Sequence, residues 1–440
     1  MTMLSLCQNT VLDIKPARMF RSRIGLGAFS LALIAGLSVP VTAATSCVAP
    51  GGSGGCYPSI SAALGGASPN DTIAVAAGTY KESVLIKIPI TLLGAGQNVT
   101  FIDATGLANG IYVDGFDNSG LANVTIRNLT VENANFEGIL VTNTSSVSIS
   151  QNHVTNNNKS LNPTAATCIG LPAFETSESM DCGEGIHFMA VDHSIIANNL
   201  VDSNSGGILS SDETGPTHDN LITGNTVTQN PFACGITLAS HPPASTTTGG
   251  SPGIYRVTII GNTSTYNGLG LPGAGAGVGI FDPIPGTKNY SHVVMNNTLI
   301  GNGLPGVTMH SHAPGQTMQD IMIVGNTISA NAADTEDAAT PGPTGINVLG
   351  VSPVTGLMIT GNFIQDEAIS IAINTGANVQ IHLNNFDENG IGIDNLGTGT
   401  INATQNWWGC AGGPGTTGCS TAAGTGVTTS APLQRQIIAQ

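Results

Sequence analysis

The sequence predicts an all-β solenoid, a single parallel β-helix in which short strands wind into stacked coils. Of its 440 residues 58 are glycine, while only 9% are charged and 4% aromatic, a composition that suits short strands and turns and leaves few helix formers. A unit recurs along the chain: a strand, an asparagine, an apolar-polar-apolar triplet, a second asparagine, a short turn, then Gly-Ile or Gly-Val opening another strand. The leading asparagine stands at Asn128, Asn152, Asn199, Asn225, Asn262, Asn297, Asn326, Asn362, Asn385 and Asn406, at intervals of 21 to 47 residues. The shorter intervals match one coil of a β-helix, and the longer ones mark inserted loops. A chain of this length normally holds two or three domains, but a repetitive architecture absorbs it as one unit.

The pattern has a physical cause. One coil cannot bury its apolar side alone. Coils stacked about 4.8 Å apart let valine and isoleucine fill a continuous interior while each backbone pairs with the coils on either side. Asparagine is expected at the corners because it tolerates left-handed backbone and bonds to its own main chain or to an aligned asparagine in the next coil.

In chain order, residues 1–43 read as an export signal. Lys15, Arg18, Arg21 and Arg23 make a basic region, residues 24–37 are apolar, and Val41-Thr42-Ala43 resembles a cleavage site. The expectation is a secreted or periplasmic protein without a transmembrane anchor. Residues 44–70 contain Tyr57, Ile60, Ala63 and Leu64 in helical spacing before a glycine pair, an N-terminal helical cap for the open end of the stack. Residues 71–409 form the β-helix. Trp407-Trp408-Gly409 closes its last coil, and residues 410–440 are a closing segment with a loose tail after Ser420. Insertions rich in Pro, Gly, Ser and Thr interrupt the rod at residues 158–184, 239–255, 268–279 and 332–345. Long loops on one flank of a rod build its binding face.

The cysteines fall into local pairs, Cys47 with Cys56, Cys168 with Cys182 and Cys410 with Cys419, which read as disulfide candidates formed in an oxidising compartment. Cys234, before Gly235-Ile236, reads as a buried small hydrophobe.

The strands Gly138-Ile139-Leu140-Val141, Gly207-Ile208-Leu209-Ser210 and Gly235-Ile236-Thr237-Leu238, with Ile259-Ile260-Gly261-Asn262 and Ile323-Val324-Gly325-Asn326, resemble the right-handed parallel β-helix proteins of the pectin-lyase-like class. They are especially similar to the carbohydrate-binding and sugar-hydrolase repeats also found in periplasmic NosD-type proteins. The resemblance spans residues 71–408. It implies the fold and leaves the activity open, since such helices include lyases, hydrolases, epimerases, fructotransferases, adhesins and maturation factors.

Aligning the repeats on Gly-Ile or Gly-Val puts Ile186, Ile208, Ile236, Ile280, Val307 and Ile346 in one inward ladder. Alternation then turns His187, Leu209, Thr237, Phe281, Thr308 and Asn347 outward, with His310 two positions on. Asp212 and Glu213 fall beside His241 and His312 of neighbouring repeats, with Asp282 at the adjacent corner. The expected site is a shallow groove in which Asp212, Glu213 and Asp282 act as catalytic carboxylates while His187, His241, His310 and His312 bind substrate. A carboxylate pair protonates a glycosidic oxygen and activates water, and histidine orients the sugar or tunes the acid. Read singly, each acid is a solvated corner and each histidine a chance occurrence. The coils from Asn362 onward carry no comparable set.

Charge narrows the ligands. With a formal net charge of −16, the chain repels nucleic acid and anionic membrane, so the expected partner is a polysaccharide or oligosaccharide. Beyond residue 43 the cations are Lys81, Lys87, Arg127, Lys159, Arg256, Lys288 and Arg435. That scarcity favours a neutral or weakly charged glycan over a polyuronate, whose carboxyls need neutralising. The preferred activity is therefore glycoside hydrolysis. A lyase or epimerase with a His or Tyr base is the alternative, and a non-catalytic glycan-binding or metal-binding β-helix the third reading. No cofactor is required; His241, His310 and His312 offer imidazoles for a transition metal, and Asp334, Glu336 and Asp337 offer carboxylates for calcium. The oligomeric state is left open.

Overall fold

The computed structural model describes residues 43–162, 167, 168, 174, 183–241, 251–335, 340–387 and 390–437. The expected export signal, the Cys168–Cys182 pairing, Glu336 and Asp337 lie outside the described residues or side chains. The chain is an all-β parallel helix. Its three long parallel sheets have 14, 12 and 11 strands, and each coil contributes one strand to each. One coil runs Leu221–Thr223, Thr226–Thr228 and Ile236–Ala239 through the 14-, 11- and 12-stranded sheets. The next pairs with it in parallel register, Thr258 on Leu221, Thr263 on Thr226 and Val278 on Ile236.

Alternation along these strands delivers one residue in two to the interior. Ile222, Val227, Ile236 and Leu238, then Ile259, Val278 and Ile280, belong to a single buried cluster from Val48 to Trp408. Each such aliphatic side chain contributes roughly 1.5–3 kcal/mol on burial.

Two asparagine ladders hold the corners. In the first, Asn152, Asn199, Asn225, Asn262, Asn297, Asn326, Asn362, Asn384 and Asn406 pass a side-chain amide bond from coil to coil. The second runs through Asn157, Asn204, Asn230, Asn267, Asn302 and Asn331 and ends on Glu367. Two expectations change here. Asn384, not Asn385, is the ladder member, and Asn128 takes no place in the ladder; Leu129 N–H donates to Asn152 Oδ1 instead. Nor does the ladder residue itself take the left-handed backbone. The residue before it does, as at Gln151 (φ 58°), Asn198 (φ 56°) and Gly224 (φ 63°). The turn is made one residue early, which leaves the ladder amide pointing along the rod, where its partners are.

A short helix, Ile60–Gly65, caps the first coil. Ser59 Oγ accepts the Ala62 N–H, and Glu82 from the next coil accepts the N–H groups of Ile60 and Ser61. Cys47–Cys56 and Cys410–Cys419 are disulfide-bonded. Cys234 is buried, its sulfur accepting the Ala276 N–H. The segment after Ser420, expected as a loose tail, adds Thr421–Gly424 and Val427–Thr428 as last strands of two sheets. In the middle coils a four-stranded parallel sheet, Thr217–His218, Ile254–Tyr255, Lys288–Tyr290 and Thr317–Gln319, widens the flank after the 12-stranded sheet. No helix among the described residues is long and apolar enough to cross a membrane.

Candidate functional site on the twelve-stranded sheet

The 12-stranded sheet carries the predicted residues on its outer face and at the corner where the chain leaves it. His187, Leu209, Thr237, Gly279, Thr308 and Asn347 form one outward column. Met189, Ser211, Ala239, Phe281 and His310 form the next. The expected register slipped by two residues at one strand: Val278, not Ile280, lies beside Ile236, and Gly279, not Phe281, lies beside Thr237. The strand opens on Gly277-Val278, and the second Gly-Ile repeats the same signal two residues later. A two-residue slip preserves the face, so Phe281 still points outward. Gly279 is required there, because a Cβ would lie 2.3 Å from Phe281 Cε2 and 2.8 Å from Cys234 Sγ.

An open groove was expected. Instead His187, Asp212, Glu213, His241, Asp282 and His310 are each at most 4% exposed, and only His312 is half-buried. Alternation decides which face a side chain takes, and not what covers that face.

The structure joins several of these groups into a row that crosses four coils. Glu137 Oε1 lies 3.3 Å from His187 Nδ1, and His187 Nε2 lies 2.7 Å from Ser211 Oγ. Two residues beyond Ser211, Glu213 Oε1 is 3.0 Å from His241 Nδ1. Burial pushes the Glu213 carboxyl up. The hydrogen bond and charge of His241, the charge of His187 and the Ser211 hydroxyl outweigh it, so Glu213 is held below the usual carboxylate range.

Asp212 and Asp282 occupy inward corner positions beside this row. Asp212 accepts the N–H groups of His241 (2.7 Å) and Gly253 (2.6 Å) and the Ser240 hydroxyl (3.2 Å). Burial pushes its carboxyl up to about 6 despite these donors, helped by the negative charge of Glu213. Asp282 accepts one bond from Asn289 Nδ2 (2.9 Å), and its Oδ2 has no hydrogen-bond partner among the described residues. Burial, with repulsion from Asp212, pushes it up to about 7. Asn289 in turn accepts from His292 Nε2, and His292 Nδ1 accepts the Val257 N–H, a buried imidazole that desolvation keeps neutral, pushed down to about 3.

His310 and His312 stand apart from that row. His310 Nε2 is 2.7 Å from Asp334 Oδ2, which also accepts from Asn347 Nδ2, and the His310 ring meets Phe281 and His312 edge-on. His312 does not sit beside Glu213 as expected; its N–H donates to the Asp282 carbonyl. The trio of His241, His310 and His312 therefore does not converge as a ligand set: among the described residues the only converging group of metal-ligating atoms lies elsewhere. Asp334 bonds to His310 and Asn347, while Glu336 and Asp337, the other carboxylates of the expected calcium cluster, lie outside the described residues.

Glu137, Ser211, Asn289 and His292 were missed by the sequence reading. A signal for Glu137 existed: an acid stands immediately before Gly-Ile in both Glu137-Gly138-Ile139 and Glu184-Gly185-Ile186, and both acids are buried. The others carried none, because serine and asparagine are common throughout the repeat.

A family model described as the right handed beta helix region matches residues 90–255. Among solved structures, the catalytic unit of a thermostable GH87 α-1,3-glucanase from Streptomyces thermodiastaticus aligns over 85% of this chain and 66% of its own, with TM-score 0.52 and 13% identity. The A-module of a mannuronan C-5 epimerase from Azotobacter vinelandii aligns over 83% and 91%, with TM-score 0.42 and 16% identity. A DFA-IIIase from Arthrobacter chlorophenolicus A6 aligns over 83% and 84%, with TM-score 0.48 and 11% identity. A search of curated proteins finds no match. The chain folds as a right-handed parallel β-helix, and at 13% identity the glucanase speaks to that fold alone.

Proposed function

We propose that this protein is an exported carbohydrate-active enzyme that hydrolyses glycosidic bonds in a neutral or weakly charged polysaccharide. One observation carries the reading: within a single buried cluster, Asp282 holds its proton to about 7 while Glu213 is kept ionised by His241. Acids pushed apart in this way are what general acid and base or nucleophile require at neutral pH. Asp282, with its unpartnered Oδ2, is the proton donor. Glu213 is the carboxylate that activates water or attacks. Asp212, tied down by two backbone N–H groups, raises Asp282 by its charge. The glucanase shows that this fold hosts glycan hydrolysis, the shortage of cations supports an uncharged polymer, and the two disulfides suit an oxidising compartment. A lyase or epimerase fits less well, because Arg256 is committed to Asp219 and burial pushes the Tyr112 hydroxyl up to about 12, a poor base.

The burial of the row and the full engagement of Asp212 favour a second reading, a glycan-binding rod without turnover whose acids are corner caps. Reducing-end release from a panel of neutral and acidic polysaccharides, beside affinity electrophoresis on the same panel, separates the two. Turnover that Asp282→Asn and Glu213→Gln abolish while binding survives supports the hydrolase. Binding without turnover in the unaltered protein sinks it.

A further inference from the structure

We propose a second site, distinct from the buried row, in which His193, His218 and Asp219 bind one divalent first-row transition ion, for which Zn²⁺ is the probe. The topology makes the cluster. Where the chain turns into the 14-stranded sheet, each coil places one left-handed residue, and in successive coils these are Ser146 (φ 56°), His193 (φ 48°), Asp219 (φ 56°), Arg256 (φ 52°) and Ser291 (φ 60°). Backbone bonds from His193 N–H to the His218 carbonyl and from Asp219 N–H to the Tyr255 carbonyl stack these corners one coil apart. Residues far apart in sequence thereby meet on the surface.

The donor atoms of His193, His218 and Asp219 all lie within 4.8 Å of one another. His218 Nδ1 is 2.7 Å and His193 Nε2 3.9 Å from Asp219 Oδ2. A tetrahedral ion with bonds of about 2.0–2.2 Å wants such atoms roughly 3.3 Å apart, so His193 closes on Asp219 by about 0.6 Å and the His218–Asp219 hydrogen bond opens by about as much to take the ion. His193 has room to move, its side chain being 63% exposed.

Its surroundings are those of a ligand histidine. His193 Nδ1 lies 2.6 Å from Asp192 Oδ1, the carboxylate–imidazole pairing that directs the other nitrogen, Nε2, at a metal. His218 is stacked on Tyr255 with ring centroids 4.7 Å apart, and Tyr255 on Tyr290 at 4.9 Å, which locks the imidazole plane. The stacked rings of neighbouring coils brace the His218 imidazole. Arg256 grips Asp219 through Nε to Oδ1 and an Nη to Oδ2, both at 2.6 Å, and lies 4.6 Å over the Tyr255 ring. An ion displaces the Nη contact and shares Oδ2, while the Nε bond keeps the carboxylate in place. With Asp192 and Asp219 against Arg256, the site carries one net negative charge before the ion binds. Two imidazoles and one carboxylate with a position left for water suit zinc or its neighbours and not calcium.

Isothermal titration of the metal-stripped full chain with Zn²⁺, with the spectrum of a Cu²⁺-loaded sample read by electron paramagnetic resonance, tests this. The expected result is one equivalent bound, two-nitrogen coordination, and binding weakened about 10-fold or more by His193→Ala, His218→Ala or Asp219→Asn. These positions are on the surface, and an unchanged melting curve confirms that each variant folds. No saturable binding, or binding undiminished in the His193→Ala/His218→Ala double variant, overturns the proposal. A loss caused instead by His310→Ala or His312→Ala would move the ion to those residues and overturn it equally. Glycan turnover does not enter these readouts, so this site and the hydrolase reading fail separately.

Discussion

Two kinds of buried polar row run along the same rod, and they are built to opposite rules. In the asparagine ladders every interior amide finds partners: Asn262 Nδ2 donates to the Ile222 carbonyl and to Asn297, while its Oδ1 accepts from the N–H and the side chain of Asn225. On the 12-stranded sheet the buried groups are titratable and incompletely satisfied. Oxygens of Glu137, Glu213 and Asp282 lack hydrogen-bond partners among the described residues, and neighbouring acids are pushed in opposite directions from the ordinary carboxylate range. An unsatisfied buried oxygen costs about 1–3 kcal/mol, which a ladder built only for stability avoids. The contrast separates the part of the rod that holds the coils together from the part for which a catalytic role is proposed.

The widest test of that separation is Asp282→Asn. Turnover of the polymer found by the screen is expected to fall about 10²–10⁴-fold, while thermal stability at pH 8 holds or rises. The sign follows from Asp282 keeping its proton in the fold up to about 7. Stability falls as pH rises from the ordinary carboxylate range through that value, and the amide removes this loss. Asn262→Ala is expected to do the reverse, leaving turnover per folded molecule unchanged and costing about 3 kcal/mol, because it orphans the Asn225 N–H and the Ile222 carbonyl. A loss below about 1 kcal/mol in urea titration would remove the ladder's claim to hold the coils.

Glu213→Gln sits between the two regions. It removes the Glu213 charge from His241 Nδ1 in a buried pair, for an expected cost of about 3 kcal/mol at pH 7. Since the folded Glu213 carboxyl is depressed, that contribution is present above the unfolded value near 4.3 and is lost as pH falls through the folded one. Melting curves of variant and parent should therefore converge in acid. The smallest effect is expected at Glu367, which ends the second ladder where the pattern calls for asparagine. It accepts the backbone and side-chain N–H of Asn331, and burial pushes it up to about 7. Glu367→Gln keeps the acceptor and is expected to add about 1–2 kcal/mol at pH 8 and nothing at pH 4. A gain of equal size at both pH values would show that the acid is not what departs from the ladder rule.

Much of this molecule was legible before its structure. The recurrence of asparagine and Gly-Ile, with alternating aliphatics, called for stacked coils, because period two and a fixed coil length leave little other way to bury those side chains. The outward placement of His187 and Phe281 survived even where the register slipped by two, since a slip of two keeps the face. What failed was anything that depended on a neighbouring coil. Asn384 and Asn385 are equivalent in sequence, and only the amide of the coil beyond selects one of them. Asp212 and Glu213 are adjacent in the chain, yet one is tied to backbone donors and the other to an imidazole.

The sequence by itself determined an all-β parallel helix, its aliphatic core, its local disulfides at Cys47–Cys56 and Cys410–Cys419, and the region in which acids and histidines accumulate. Those follow from spacing and composition, which are properties of the chain alone. Only the tertiary structure decided that the accumulated groups form a closed row and not an open groove, that Glu137 and Ser211 belong to it, and that His193, His218 and Asp219 meet on the opposite side of a turn. Stacking converts intervals of 20 to 50 residues into contacts between adjacent coils about 4.8 Å apart, and which residues share a column depends on every loop length between them.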